Sequence, residues 1–113
     1  MFGIKNCDTM KKAMTWLDSH GIPFEFVDYK KSDVVADRLP RWIQSVGWEV
    51  LLNRRGLMWK KLSEAEREDV DSAKASELMC RYPVLMKRPV LEWKDQLIVG
   101  FDAARYADFF GKR

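Results

Sequence analysis

The sequence predicts an α/β fold ordered β-α-β, then several helices, then β-β-α. Three observations carry this. Residues 2–27 pass from a strand-like run into a 3.6-residue apolar period and back to a strand-like run. Residues 33–82 carry helical spacing and capping signals. Residues 89–110 hold two short β-rich runs followed by a last helical face. Strand, helix and strand packed into so short an opening favour parallel pairing of the two strands.

Taken in order, Phe2-Gly3-Ile4 reads as the end of a short strand running straight into Asn6-Cys7-Asp8. From Asp8 the pattern is helical: Met10, Ala13, Met14 and Leu17 share one face, with Lys11, Lys12, Thr15 and Asp18 on the other. Asp8 is the expected N-cap and Gly21 the expected terminator. Phe24-Glu25-Phe26-Val27, introduced by Pro23, reads as the second strand. Leu39, Trp42, Ile43 and Val46 then share a helical face that Gly47 closes. Pro40 fits that helix if Asp37 caps it and the proline lies in the first turn. Ser63-x-x-Glu66 is a capping box opening a short helix. A longer helix is expected from about Ser72 to Tyr82, with Ala75, Leu78, Met79 and Tyr82 inward. Pro89–Trp93 and Gln96–Val99, separated by Lys94-Asp95, have the composition of a hairpin. Phe101–Phe110 returns to helix, with Ala103, Tyr106, Ala107 and Phe110 on one face.

The bulk properties narrow the function classes. A chain of 113 residues suits one domain, and five Trp and six Phe demand a packed core. The net charge of +3, from 20 Lys plus Arg against 17 Asp plus Glu, is too mild for a nucleic-acid binder. No apolar run approaches the ~20 residues that cross a bilayer, so no membrane partner is expected. Residues 1–12 have no signal-peptide core, and two distant cysteines make no disulfide framework, so a reducing cytoplasm is the expected compartment. The lone His20, beside Gly21, reads as a solvated helix cap, and no metal site is expected.

Cys7 carries the chemistry. It falls in the turn between a strand and a helix, where unpaired backbone N–H groups and the positive end of the helix dipole favour an anion. A thiolate held there has a lowered pKa and is nucleophilic at neutral pH. Lys5, Lys11 and Lys12 add positive charge nearby in sequence. A Cys-x-x-Cys redox pair is broken here, because Cys7-Asp8-Thr9-Met10 ends on a thioether that forms no disulfide. Cys80 falls on the outward side of its helix, so a monothiol mechanism follows. Met86-Lys87-Arg88-Pro89-Val90 is the second informative stretch, a basic pair before a proline that opens a strand.

These residues carry a family likeness. Gly3 to Ala13 and Lys87-Arg88-Pro89-Val90-Leu91 resemble the ArsC/Spx/YffB family of arsenate-reductase-related proteins, above all its YffB subgroup. The likeness continues through Leu52-Asn53-Arg54, Lys60-Lys61-Leu62 and Val99-Gly100-Phe101. It implies a single thioredoxin-like domain over residues 1–113 with a helical insertion at about 33–82. In such a sheet the proline before the third strand, here Pro89, is commonly cis and lies beside the cysteine. It also implies a glutathione-dependent thiol oxidoreductase in which Cys7 attacks substrate and is regenerated by glutathione or glutaredoxin. Glutathione is then a co-substrate, no cofactor is bound, and the protein acts as a monomer. Family arsenate reductases surround the cysteine with three arginines. Arg88 matches the one before the proline, and Arg54, with Arg55 close behind, matches the one in the insertion. The third falls near Gly100, where Leu97-Ile98-Val99-Gly100-Phe101 has no arginine. The residues expected to bind substrate or glutathione are Asn6, Lys11, Arg54, Arg88 and Pro89. Arsenate reduction proper is one alternative. A regulator that binds protein as Spx does, without the redox switch that Met10 removes, is the other.

Overall fold

The computed structural model describes residues 1–5, 7–30 and 33–111. In chain order its elements are β1 (Phe2–Gly3), α1 (Asp8–Ser19), β2 (Val27–Asp28), α2 (Val34–Val46), α3 (Trp48–Leu51), α4 (Leu57–Lys61), α5 (Glu64–Arg67) and α6 (Ser72–Arg81). A 3₁₀ turn (Pro83–Leu85), β3 (Val90–Trp93), β4 (Gln96–Val99) and α7 (Ala103–Phe110) follow. They fall into two compact units, Met1–Asp28 with Arg88–Arg113, and Tyr29–Lys87.

The first unit is a four-stranded sheet in the order β2-β1-β3-β4, with β1 parallel to β2 and antiparallel to β3, and β3 antiparallel to β4. This is the thioredoxin-like arrangement. Strand alternation explains its core: Leu91 and Ile98, opposite one another in the hairpin, join Met10, Ala13 and Leu17 of α1 and Tyr106 of α7 in one buried cluster. Val90, paired with both Phe2 and Val99, projects from the other face of the sheet, and all three are buried. At roughly 1.5–3 kcal/mol for each large apolar side chain taken out of water, these layers hold α1 and β3 in place.

Several boundaries differ from the sequence expectation for physical reasons. The N-cap of α1 is Cys7, in extended backbone, with Asp8 the first helical residue, because the Cys7 carbonyl accepts the Lys11 N–H at 3.0 Å. Gly21 follows the helix with φ +65°, the left-handed step that ends it. β2 is Val27–Asp28 rather than Phe24–Val27, since β1 offers ladder partners only at Phe2↔Val27 and Gly3↔Asp28. Phe24 and Phe26 instead pack their rings on the core cluster. Ala103 is exposed, not inward: as the first residue of α7, capped by Asp102, it precedes the turn that meets the sheet. Tyr106 is the fully buried member, and its hydroxyl donates to the Gly100 carbonyl at 2.9 Å.

The second unit is helical. Its α2 starts at Val34 after Asp33, so Asp37 is not the cap and Pro40 lies in the helix interior. The earlier start extends the buried stripe Val35–Leu39–Trp42 by a turn. Pro40 and Ala36 are both exposed, so the Ala36 carbonyl that the proline leaves without a donor faces water. α2 packs on α6, which buries Ala75, Leu78 and Met79 as expected. Tyr82 caps α6 instead of lying inside it, since the residue before a proline disfavours helical backbone, and its hydroxyl donates to Glu66 Oε2 at 3.1 Å. The capping box forms in full at Ser63 and Glu66. The unit's two ends are clasped, because the buried Tyr29 donates its hydroxyl to the Lys87 carbonyl at 3.0 Å.

Candidate active site

The parallel pair β1–β2 and the helix α1 create the setting for Cys7. β1 ends at Gly3, and the chain enters α1 with Cys7 as its cap, leaving the sulfur partly buried against the core cluster. Gly3 permits this crossing, since a Cβ there would fall on the Met10 sulfur. Met10, in the position of a second redox cysteine, is a core residue and 2% exposed.

Around the sulfur, burial works against ionisation, but the donors outweigh it. The Met10 N–H, the Arg88 guanidinium and the Thr9 N–H favour the charged sulfur, and the charge of Arg88 adds to them, so the Cys7 thiol lies below its ordinary value. Two of these groups are backbone amides of the first turn, which no side-chain motif announces. The signal for them is the helix start itself.

Arg88 is placed by the third strand. The Arg88–Pro89 peptide is cis, as expected, and Pro89 is buried. The Pro89 carbonyl accepts the Gly100 N–H at 2.8 Å, and Val90 pairs with Phe2 of β1. The sheet thus brings Cys7, Arg88 and Pro89 together. Gly100, with φ +81°, occupies a left-handed position that favours glycine, within the stretch Leu97–Phe101 that has no arginine.

The other expected residues lie elsewhere. Asn6 falls outside the described residues. Lys11 gives its backbone N–H to Cys7, while its side chain lines a hollow of about 470 Å³ with Lys12, Trp16, His20 and Phe101. His20 caps the end of α1, with Nδ1 2.8 Å from the Trp16 carbonyl and its ring stacked on Trp16 at 3.9 Å. Cys80 is exposed on α6, and desolvation pushes its thiol up.

Arg54 belongs to the second unit. There the Lys87 N–H donates to the Leu51 carbonyl and the Asn53 N–H to the Leu85 carbonyl, each at 2.8 Å, and Leu52 bridges Met86. This short antiparallel crossing gathers Arg54, Arg55 and Lys87 around one hollow of about 490 Å³, with Glu49 and Asn53 also on its wall. Three cations to one carboxylate make it an anion-attracting hollow. Arg54 lies against two aromatic rings, its Cζ 5.1 Å from the Trp48 centroid and 5.9 Å from that of Trp59. Sequence reasoning passed over both tryptophans, since nothing in their spacing points to Arg54.

A thioredoxin-like sheet with a cysteine at a helix start and Arg-cis-Pro opening the third strand defines the class, and the chain belongs to the ArsC family, whose family model matches residues 2–109. A solved YffB protein superposes with a TM-score of 0.89 at 48% identity, covering 95% of this chain and 94% of that one. An arsenate reductase (ArsC) related protein from Brucella melitensis superposes with a TM-score of 0.77 at 52% identity, covering 96% and 91%. An uncharacterized protein of Haemophilus influenzae is 34% identical over 97% of this chain and 96% of its own. The global transcriptional regulator Spx 2 of Lactococcus lactis is 28% identical over 86% of this chain and 74% of its own.

Proposed function

We propose that this chain is a glutathione-dependent thiol oxidoreductase working through one nucleophilic cysteine. The observation that carries the reading is the place of Cys7 at the cap of α1, beside the first-turn N–H groups and the Arg88 guanidinium. That arrangement favours a thiolate without any second cysteine. Cys7 then attacks the glutathionyl sulfur of a mixed disulfide, forming a Cys7–glutathione disulfide and releasing the other thiolate, which takes up a proton. A second glutathione thiolate attacks this disulfide, giving oxidised glutathione and restoring the Cys7 thiolate.

Arg88 stabilises the thiolate both as attacking and as leaving group. Pro89, Asn6 and Lys11 are proposed as further contacts for glutathione, and Arg54 as the ligand of one of its two carboxylates. Glutaredoxin as alternative reductant, a cytoplasmic site of action and a monomeric state belong to the same proposal. Arsenate reduction is the weaker reading, because Gly100 leaves its dianion one charge-assisted partner short. Regulation of the Spx kind lacks its Cys-x-x-Cys switch at Met10.

The test is turnover of a glutathionylated peptide with glutathione. Cys80→Ser should retain the activity and Cys7→Ser should abolish it. Equal loss in both variants contradicts the one-cysteine mechanism.

A further inference from the structure

The hollow on the second unit has a feature that anion binding by itself leaves unexplained. Arg54 sits in the turn between α3 and α4, and a half-buried tryptophan from each helix, Trp48 and Trp59, lies against its guanidinium. Among the described residues Arg54 makes no ion pair, although Glu49 lines the same hollow. Its charge is therefore held by ring faces and left unneutralised. The neighbouring Arg55 is tied differently, its backbone N–H donating to Asn53 Oδ1 at 3.1 Å within the turn.

Stacking and carboxylate binding use different parts of a guanidinium. The aromatic ring attracts its flat face, whereas the N–H groups that fork onto a carboxylate point outward in its plane. Two rings can thus fix the plane of Arg54 while leaving its bidentate edge available. An arginine on a bare surface must give up its rotamer freedom when it binds, and one already held by rings gives up less.

We infer that Trp48 and Trp59 are positioning residues for Arg54, holding its guanidinium plane so that its edge receives a carboxylate of glutathione. This rests on the glutathione reading above, and it adds that affinity at this hollow depends on aromatic faces that never touch the ligand's charge.

S-methylglutathione is the probe, because it keeps both carboxylates and cannot exchange thiols. Its dissociation constant would be measured calorimetrically for the full chain and for a cycle of variants. Replacing both tryptophans by Leu should weaken binding about three- to ten-fold, the size of an exposed cation–π contact plus the ordering it spares. Replacing both by Phe, which keeps a ring face, should restore most of that loss. In an Arg54→Ala background the Leu pair should cost nothing more. The rate of Cys7 alkylation should be unchanged by the tryptophan replacements. If the Leu pair does not fold, Trp48→Leu and Trp59→Leu are each read in the same cycle.

The inference is overturned if the Leu variants bind like wild type, if they lose as much affinity without Arg54 as with it, or if the unaltered chain does not bind the probe. It fails separately from the proposed function. Intact, tryptophan-dependent binding without thiol turnover sinks the oxidoreductase reading and leaves the clamp standing, and intact turnover without a tryptophan effect does the reverse.

Discussion

The two cysteines sit at opposite ends of helices, and their thiols are shifted in opposite directions. Cys7 caps the start of α1, beside the N–H groups of the first turn, and its thiol is lowered although burial opposes this. Cys80 is the last residue but one of α6, at the carbonyl end, and with desolvation as its only influence its thiol is raised. The side chain is the same in both places. What differs is that first-turn N–H groups and a guanidinium offset the burial of Cys7, whereas the burial of Cys80 has no such offset.

The largest effect that can break this contrast is on chemistry. Cys7→Ser should remove turnover of a glutathionylated peptide altogether, while Cys80→Ser leaves it near wild type. Next in size is the contribution of Arg88. A hydrogen bond to a charged group is worth about 1.5–3 kcal/mol, so Arg88→Ala should slow Cys7 alkylation at neutral pH by roughly ten-fold or more. Arg88→Lys should recover only part, because an ammonium lacks the planar fork. An unchanged alkylation rate in Arg88→Ala would leave the helix start as the sole cause of activation.

Most of the architecture was legible because it rests on local signals. The period of Met10, Ala13 and Leu17, the box Ser63-x-x-Glu66 and the hairpin around Lys94-Asp95 each leave a mark in a few consecutive residues. The misplaced boundaries are those where tertiary burial overrides local preference. Val35 draws α2 a turn ahead of Pro40, and the two-residue β1 limits β2 to Val27–Asp28. Half of the candidate site was legible for the same reason: Cys7 and Arg88 lie on motifs. The amide donors of Thr9 and Met10 and the rings around Arg54 do not, because a backbone amide has no letter and stacking across a turn has no period.

A smaller effect concerns substrate choice. With glycine at position 100, arsenate should turn over roughly ten- to a hundred-fold more slowly than a glutathionylated peptide under the same glutathione supply, the cost of one missing ionic hydrogen bond. A preference for arsenate would mean that another cation replaces the missing arginine, with Cys7 and the fold unaffected.

The smallest effect sharpens the contrast through stability. Because the Cys7 thiol is lowered on folding, its contribution is fully present above the ordinary thiol value of about 8.5 and is lost as pH falls through the folded value. The Cys80 thiol is raised, so its contribution is present below the ordinary value and lost as pH rises through the folded one. Urea unfolding of Cys7→Ser and Cys80→Ser against wild type, from neutral to mildly alkaline pH, should therefore give differences of opposite slope. Slopes of the same sign would remove the distinction between the two helix ends.

The most direct test of the central claim is the ionisation of Cys7 itself, measured as alkylation rate against pH in a Cys80→Ser background so that one thiol reports. A midpoint well below the ~8.5 of free cysteine is the expected result. A midpoint at or above that value would show Cys7 to be an ordinary or buried thiol and would contradict its role as nucleophile.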